Sequence, residues 1–170
     1  MNVSDIVKRL SVFFVYVVLH VLWFKHFVFL DVALCFVYLG FLLTLPMDVS
    51  LPVLLLAGFF TGFSVDLFYG TMGVHTAASV AIMYFRPGII RILTPLGGYN
   101  QVDEISINAL GLPWFISFIL AASFIHTSLV LMIETASFAF FYWTLLKIVA
   151  TTLFTSFMLV SIEYLLFSKV

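Results

Sequence analysis

One acid within an apolar stretch sets the chemical question in this chain. Asp66 belongs to the run Leu51–Tyr69, in which Gly58, Gly62, Asp66 and Gly70 recur every four residues. That spacing aligns them along one slowly drifting face of an α-helix. Small residues so placed let a second backbone approach closely, whether from the same chain or from another. An ionised carboxylate within hydrocarbon costs roughly 2.5–3.5 kcal/mol on insertion scales, so Asp66 must be paired, protonated or in contact with water. Its candidate partners are Thr71 and His75 across the turn Gly70–Gly73, and His126 and Lys147 further along; the sequence does not choose among them. Two roles follow. Asp66 is either a proton or substrate site, or a staple that accepts hydrogen bonds from turn amides and hydroxyls. The staple is favoured, because one acid without a second carboxylate in the apolar runs makes a poor proton relay.

The other reactive side chains carry weaker signals. His75 follows Gly73 closely, but no histidine or cysteine stands at a metal-ligand spacing from it, so a hydrogen-bonded structural histidine is the expectation. His20 and His126 are isolated in apolar runs and read the same way. Lys147 reads as a snorkelling lysine with Glu134 as its ion-pair candidate, and Glu163 and Lys169 read as interfacial. Adjacent Asp103 and Glu104 read as solvated loop charges or as a contact for a basic partner. The chain has no nucleophile elbow, no acid pair at hydrolase spacing, no glycine-rich phosphate loop and no metal cluster, so a non-enzymatic protein without cofactors is expected.

The elements that position these residues follow from composition. Of 170 residues, 64% are hydrophobic and 9% charged, against about one quarter charged in an ordinary globular protein. A soluble domain is excluded, and the lipid bilayer is the expected environment. The formal charge of −1, with no block of basic residues, argues against nucleic acid. Cys35 has no second cysteine with which to form a disulfide.

With about 20 residues per crossing, the apolar blocks predict an all-α polytopic membrane bundle forming one domain. Six spans are expected, over 10–24, 27–45, 51–69, 74–93, 112–133 and 145–167. The fourth is short before Arg86 and Pro87. Either Arg86 snorkels to the headgroups or the preceding turn sits below the membrane surface, and 87–96 then reads as a segment along the interface with Arg91 towards lipid phosphate. Placing Lys8, Arg9, Arg86, Arg91 and Lys169 on one side predicts cytoplasmic termini.

The stretch from Gly58 to His75, Gly-Phe-Phe-Thr-Gly-Phe-Ser-Val-Asp-Leu-Phe-Tyr-Gly-Thr-Met-Gly-Val-His, resembles the signature of the MreD family of rod shape-determining membrane proteins. The family frame is Gly-x-x-x-Gly, an Asp four residues later, and a Gly-Thr/Ser-x-x-Gly-like turn with a basic residue or histidine soon after; Gly70-Thr71-Met72-Gly73 and His75 stand at the turn here. The match is close from Leu51 to about Arg86; beyond it only the size, the six-span pattern and Pro95, Gly97, Gly98 and Tyr99 agree. Thr76-Ala77-Ala78 departs from the family's usual Ala-Leu. The resemblance implies a scaffold subunit of the bacterial cell-elongation complex. It would bind an MreC-like single-span partner and act with MreB, RodA and a penicillin-binding transpeptidase in peptidoglycan synthesis. It also implies a fold like the S-components of energy-coupling-factor transporters, and with it an alternative role as a vitamin-like ligand-binding subunit with Asp66 and His75 in the pocket. On the scaffold reading, Gly58, Gly62, Asp66, Gly70, Gly73 and His75 are partner-binding or structural residues.

Overall fold

Long apolar runs with few backbone breakers become helices because, away from water, an α-helix satisfies its backbone groups internally. In the computed structural model, which describes residues 3–25, 27–95, 97–99, 104–135 and 141–166, the chain is all-α. His26, Asp103 and Lys169 lie outside these residues. Helix α1 (Val3–Leu19) ends in a π-helical turn, His20–Phe24; α3 (Leu51–Tyr69) and α4 (Val74–Ile92) form a hairpin; α6 (Leu112–Thr135) and α7 (Phe141–Leu166) are the longest elements. Two short helices, α2 (Leu39–Leu43) and α5 (Ile107–Leu110), complete the order. Among the described residues, four helical segments are long and apolar enough to cross a bilayer: Val7–Phe24, Leu51–Tyr69, Leu112–Thr135 and Phe141–Leu165.

The bundle buries a set of polar side chains within an apolar core and exposes large apolar side chains on its outside. Thr61, Asp66, His75, Ser79, Arg86, His126 and Thr151 are buried, whereas Trp23, Phe60, Leu67, Leu153 and Phe157 are exposed. A soluble monomer rarely exposes so much contiguous apolar surface; the arrangement is compatible with surrounding lipid.

Residues 27–45 depart from expectation. A second spanning helix is not formed. Phe29 and Ala33 pair across a tight turn in which Leu30 and Asp31 adopt left-handed backbone conformations (φ 52° and 58°), and only Leu39–Leu43 is helical. From Ala33 onward the segment is apolar because it is core: Cys35, Phe36, Val37, Tyr38, Leu39, Leu42 and Leu43 are all buried. Its irregular backbone is satisfied by α7. The N–H of Leu34 donates to Thr151 Oγ1 (3.0 Å) and that of Phe36 to Thr155 Oγ1 (3.1 Å). Two residues of extended chain advance roughly 6.6 Å and four residues of helix roughly 6 Å, so a threonine pair at i, i+4 matches amides at i, i+2. Phenylalanine and valine, weak helix formers, crowd this segment, and Asp31 interrupts it.

Helix α4 also corrects the sequence reading. It continues through Pro87 to Ile92, with no separate interfacial segment. Proline within a helix removes a hydrogen bond and costs about 3 kcal/mol; burial of Arg86 and Ile89 on either side, and side-chain capping beyond, offset that cost. Tyr99 Oη donates to the Ile90 carbonyl (2.7 Å) and Trp114 Nε1 to that of Leu93 (2.8 Å). Arg91 is exposed. Arg86 does not snorkel: it is 1% exposed, and its guanidinium donates to the carbonyls of Leu45 and Pro46. The planar fork supplies several donors at fixed angles, which suits two consecutive carbonyls where the 27–45 segment ends.

Candidate functional site

The α3–α4 hairpin gathers most of the residues that the sequence marked. Gly70 (φ 69°) closes α3, its N–H and that of Thr71 both donating to the Asp66 carbonyl (2.8 and 3.2 Å). The 5→1 bond from Gly70 is that of the αL cap, which uses a left-handed residue after the last helical turn. Gly73 (φ 87°) precedes α4 and has no side chain with which to cap that helix. Asp66 fills the role from the other helix. Its Oδ1 accepts from the backbone N–H of His75 (3.1 Å) and its Oδ2 from that of Thr76 (2.8 Å). The amides of a helix's first turn lack intrahelical partners, and an anion beside them is favourable.

Side chains complete the shell. Thr76 Oγ1 donates to Oδ2 (2.5 Å), and Thr71 Oγ1 donates to Oδ1. His75 Nδ1 lies 3.0 Å from Oδ1. A carboxylate only accepts, so Nδ1 carries a proton in this pair. Asp66 and His75 are 4% and 1% exposed. Of the partners left open by the sequence, Thr71 and His75 are engaged. His126 instead pairs with Tyr38 (Nε2 to Oη, 2.8 Å), and Lys147 lies over the Trp143 ring at 6.0 Å. Glu134 forms no ion pair with Lys147 among the described residues.

The glycine face is occupied by this chain's own α4. A Cβ on Gly62 would lie 2.5 Å from Thr76 Cα and 2.6 Å from the His75 carbonyl oxygen. One on Gly58 would lie 2.8 Å from the Ser79 carbonyl oxygen. Neither glycine is available to a second protein, so the partner-binding alternative for this pair is corrected to a structural one: the stripe sets the closeness of α3 to α4 and thereby brings the α4 amides to Asp66.

Behind the staple lies an aromatic and histidine cluster that sequence spacing did not reveal. His75 packs against the rings of Tyr69 (4.9 Å), Phe36 (5.9 Å) and Tyr38 (6.2 Å). His20 stacks on Tyr69 (5.5 Å, 5°), and its Nε2 lies 3.1 Å from a Tyr69 Oη. Each buried histidine thus has a polar partner supplied by a different segment. Lys25 caps the end of α3 by donating to the Phe68 carbonyl (2.5 Å). Among the described residues no group of three His, Cys, Asp or Glu side chains is arranged to hold a metal ion. Glu163, expected at the interface, is 5% exposed. Comparison with protein-family models, curated proteins and solved structures finds no match to this chain.

Proposed function

We propose that this protein is a non-enzymatic membrane scaffold whose α3–α4 hairpin, locked by Asp66, presents the outward face of α3 to the single transmembrane helix of a partner. The observation that carries this reading is the saturation of the Asp66 carboxylate by donors from Thr71, His75 and Thr76. An acid so occupied has little left to offer a solute or a transported proton, but it fixes the relative position of two helices. The opposite side of α3 exposes Leu56, Phe59, Phe60, Phe63 and Leu67, with Phe59 and Phe63 stacked at 5.8 Å. Large, rigid aromatic side chains provide contact area for another helix at low entropic cost.

The resemblance of Gly58–His75 to the MreD signature supplies the partner's class: an MreC-like protein, in a complex that includes MreB, RodA and a penicillin-binding transpeptidase and supports wall synthesis and cell shape. On this reading the chain crosses the bacterial inner membrane six times in an S-component-like arrangement. Residues 27–45 make the second crossing, irregular chain packed within the protein from Ala33 onward, and both termini are cytoplasmic, in keeping with the placement of the basic residues. The alternative, a vitamin-binding transporter subunit using Asp66 and His75, has less support because both side chains are already engaged with each other.

Copurification tests the proposal. The double substitution Phe59→Ala with Phe63→Ala should sharply lower recovery of a coexpressed MreC-like protein while leaving the thermal stability of the scaffold nearly unchanged. Full recovery of the partner with that variant would reject docking on this face. Stabilisation of the purified protein by a vitamin in a melting screen would favour the transporter reading instead.

A further inference from the structure

At the end of the bundle far from Asp66, a cavity of about 690 Å³ opens between α1, α2, α5 and α7. Its volume falls within the range of sites that hold small molecules. The floor is apolar, formed by Val12, Phe41 and Leu45 with the buried ring of Tyr16. Both signs of charge line the walls: Lys8 and Arg9 from α1, Glu104 from the segment before α5, and Glu163 from α7. These opposite charges share one cavity without joining, since among the described residues no ion pair links them.

Glu163 is the informative member. It is only 5% exposed, and what it meets at its open side is the cavity it lines. A carboxylate offers about four acceptor positions, and burying its charge is costly unless those positions are filled. A primary ammonium, with three donors and a positive charge, is the group that suits it. Arg9 and Lys8 at the mouth suit a phosphate in turn. A ligand with only an anionic group would meet the two carboxylates, and one with only a cationic group would meet the two basic side chains. We propose that this cavity binds the headgroup of a zwitterionic phosphoamine, the phosphoethanolamine of a phosphatidylethanolamine lipid, with phosphate at Lys8 and Arg9, ammonium at Glu163 and Glu104, and acyl chains leaving along Val12 and Phe41. The proposal rests on the membrane reading of the chain, because only there does a cavity of this polarity open at headgroup depth. It is independent of the partner proposed for α3.

The test is lipid retention by the full chain, reconstituted in nanodiscs of equimolar phosphatidylethanolamine, phosphatidylglycerol and phosphatidylcholine with matched acyl chains, then released for native mass spectrometry. Phosphatidylethanolamine should be retained about tenfold over either competitor, the factor expected for one charge-assisted hydrogen bond lost or one charge misplaced. Phosphatidylcholine is the sharp control, since its methylated ammonium has no N–H to donate. R9Q and E163Q should each reduce retention by about tenfold. Because E163Q alters a buried position, E104Q at the exposed rim supplies a second variant, with a smaller loss expected. A melting shift with soluble phosphoethanolamine would support the zwitterion site and assign it to the free headgroup; a shift with the lipid alone would support it and assign it to the lipid. Equal or greater retention of phosphatidylglycerol, no retained lipid, or retention indifferent to both R9Q and E163Q would overturn the proposal. Resistance of the protein to carbonate extraction from membranes tests the embedding separately.

Discussion

Gly62 and Thr76 meet so closely that a single methyl group on the glycine would lie 2.5 Å from the threonine's Cα. One turn further along the hairpin, the same Thr76 donates both its N–H and its hydroxyl to Asp66. The close approach and the polar staple are therefore one device: α4 can be capped by an acid on α3 only because nothing larger than hydrogen separates the two helices.

That coupling gives opposite outcomes for two chemically identical substitutions. Gly62→Ala should destabilise the protein by about 1–3 kcal/mol, the usual range for overpacking a tight contact, because backbone rather than a flexible side chain must move. Gly88→Ala, within α4 and with nothing inside 4 Å of the added Cβ, should stabilise it by about 0.5–1 kcal/mol through helix propensity. Thermal denaturation of the two variants in the same detergent decides the matter; equal effects would contradict the packing described.

Asp66→Asn replaces one acceptor oxygen by a donor. Whichever way the amide turns, the backbone N–H of either His75 or Thr76 loses its acceptor, since the two bond to different carboxylate oxygens. A loss of about 1–3 kcal/mol is expected, the cost of an unsatisfied buried donor. Thr71→Val, which removes one hydroxyl donor and leaves both amides capped, should cost less, about 1 kcal/mol. Unfolding measurements that rank the two in the opposite order would show that the carboxylate does not cap α4.

Thr151 and Thr155 stand in for a neighbouring strand. Thr155→Val preserves shape but strips the acceptor from the Phe36 amide, so that amide should exchange with solvent deuterium faster and the protein should lose about 1–3 kcal/mol. Thr155→Ser, which keeps the hydroxyl, should restore most of the protection. The same pair of substitutions at Thr151 should act on Leu34. Unchanged exchange at both amides in the valine variants would reject the assignment.

Arg86→Lys keeps the charge but not the fork. A single ammonium cannot reproduce the guanidinium's donors to both Leu45 and Pro46, so a loss of about 1.5–3 kcal/mol is expected, the range for hydrogen bonds from charged groups. Limited proteolysis should then cut first around residues 46–50, where the segment between α2 and α3 is held. Wild-type stability would mean that the bond to one carbonyl suffices.

The sequence by itself determined the class of fold and the limits of several helices. Leu51–Tyr69 and the start of α4 at Val74 follow from apolar runs bounded by Pro46–Ser50 and by two glycines, and the same logic located α6 and most of α7. It also required Asp66 to find partners, because an unpartnered acid in an apolar run is too costly to leave alone. Which partners, and which helix fills the glycine face, depended on the hairpin's geometry, since four-residue spacing describes one helix and not its neighbour. Apolarity misled over 27–45 for a related reason: it reports removal from water, and lipid and protein interior remove a residue equally well. Phe36 is apolar because it lies among His75 of α4, His126 of α6 and Thr155 of α7, and only the tertiary structure brought Thr151 and Thr155 within reach of that segment's amides. Arg86 misled in the opposite sense, because the carbonyls that make its burial tolerable lie 40 and 41 residues away in the chain, a distance that local pattern does not span.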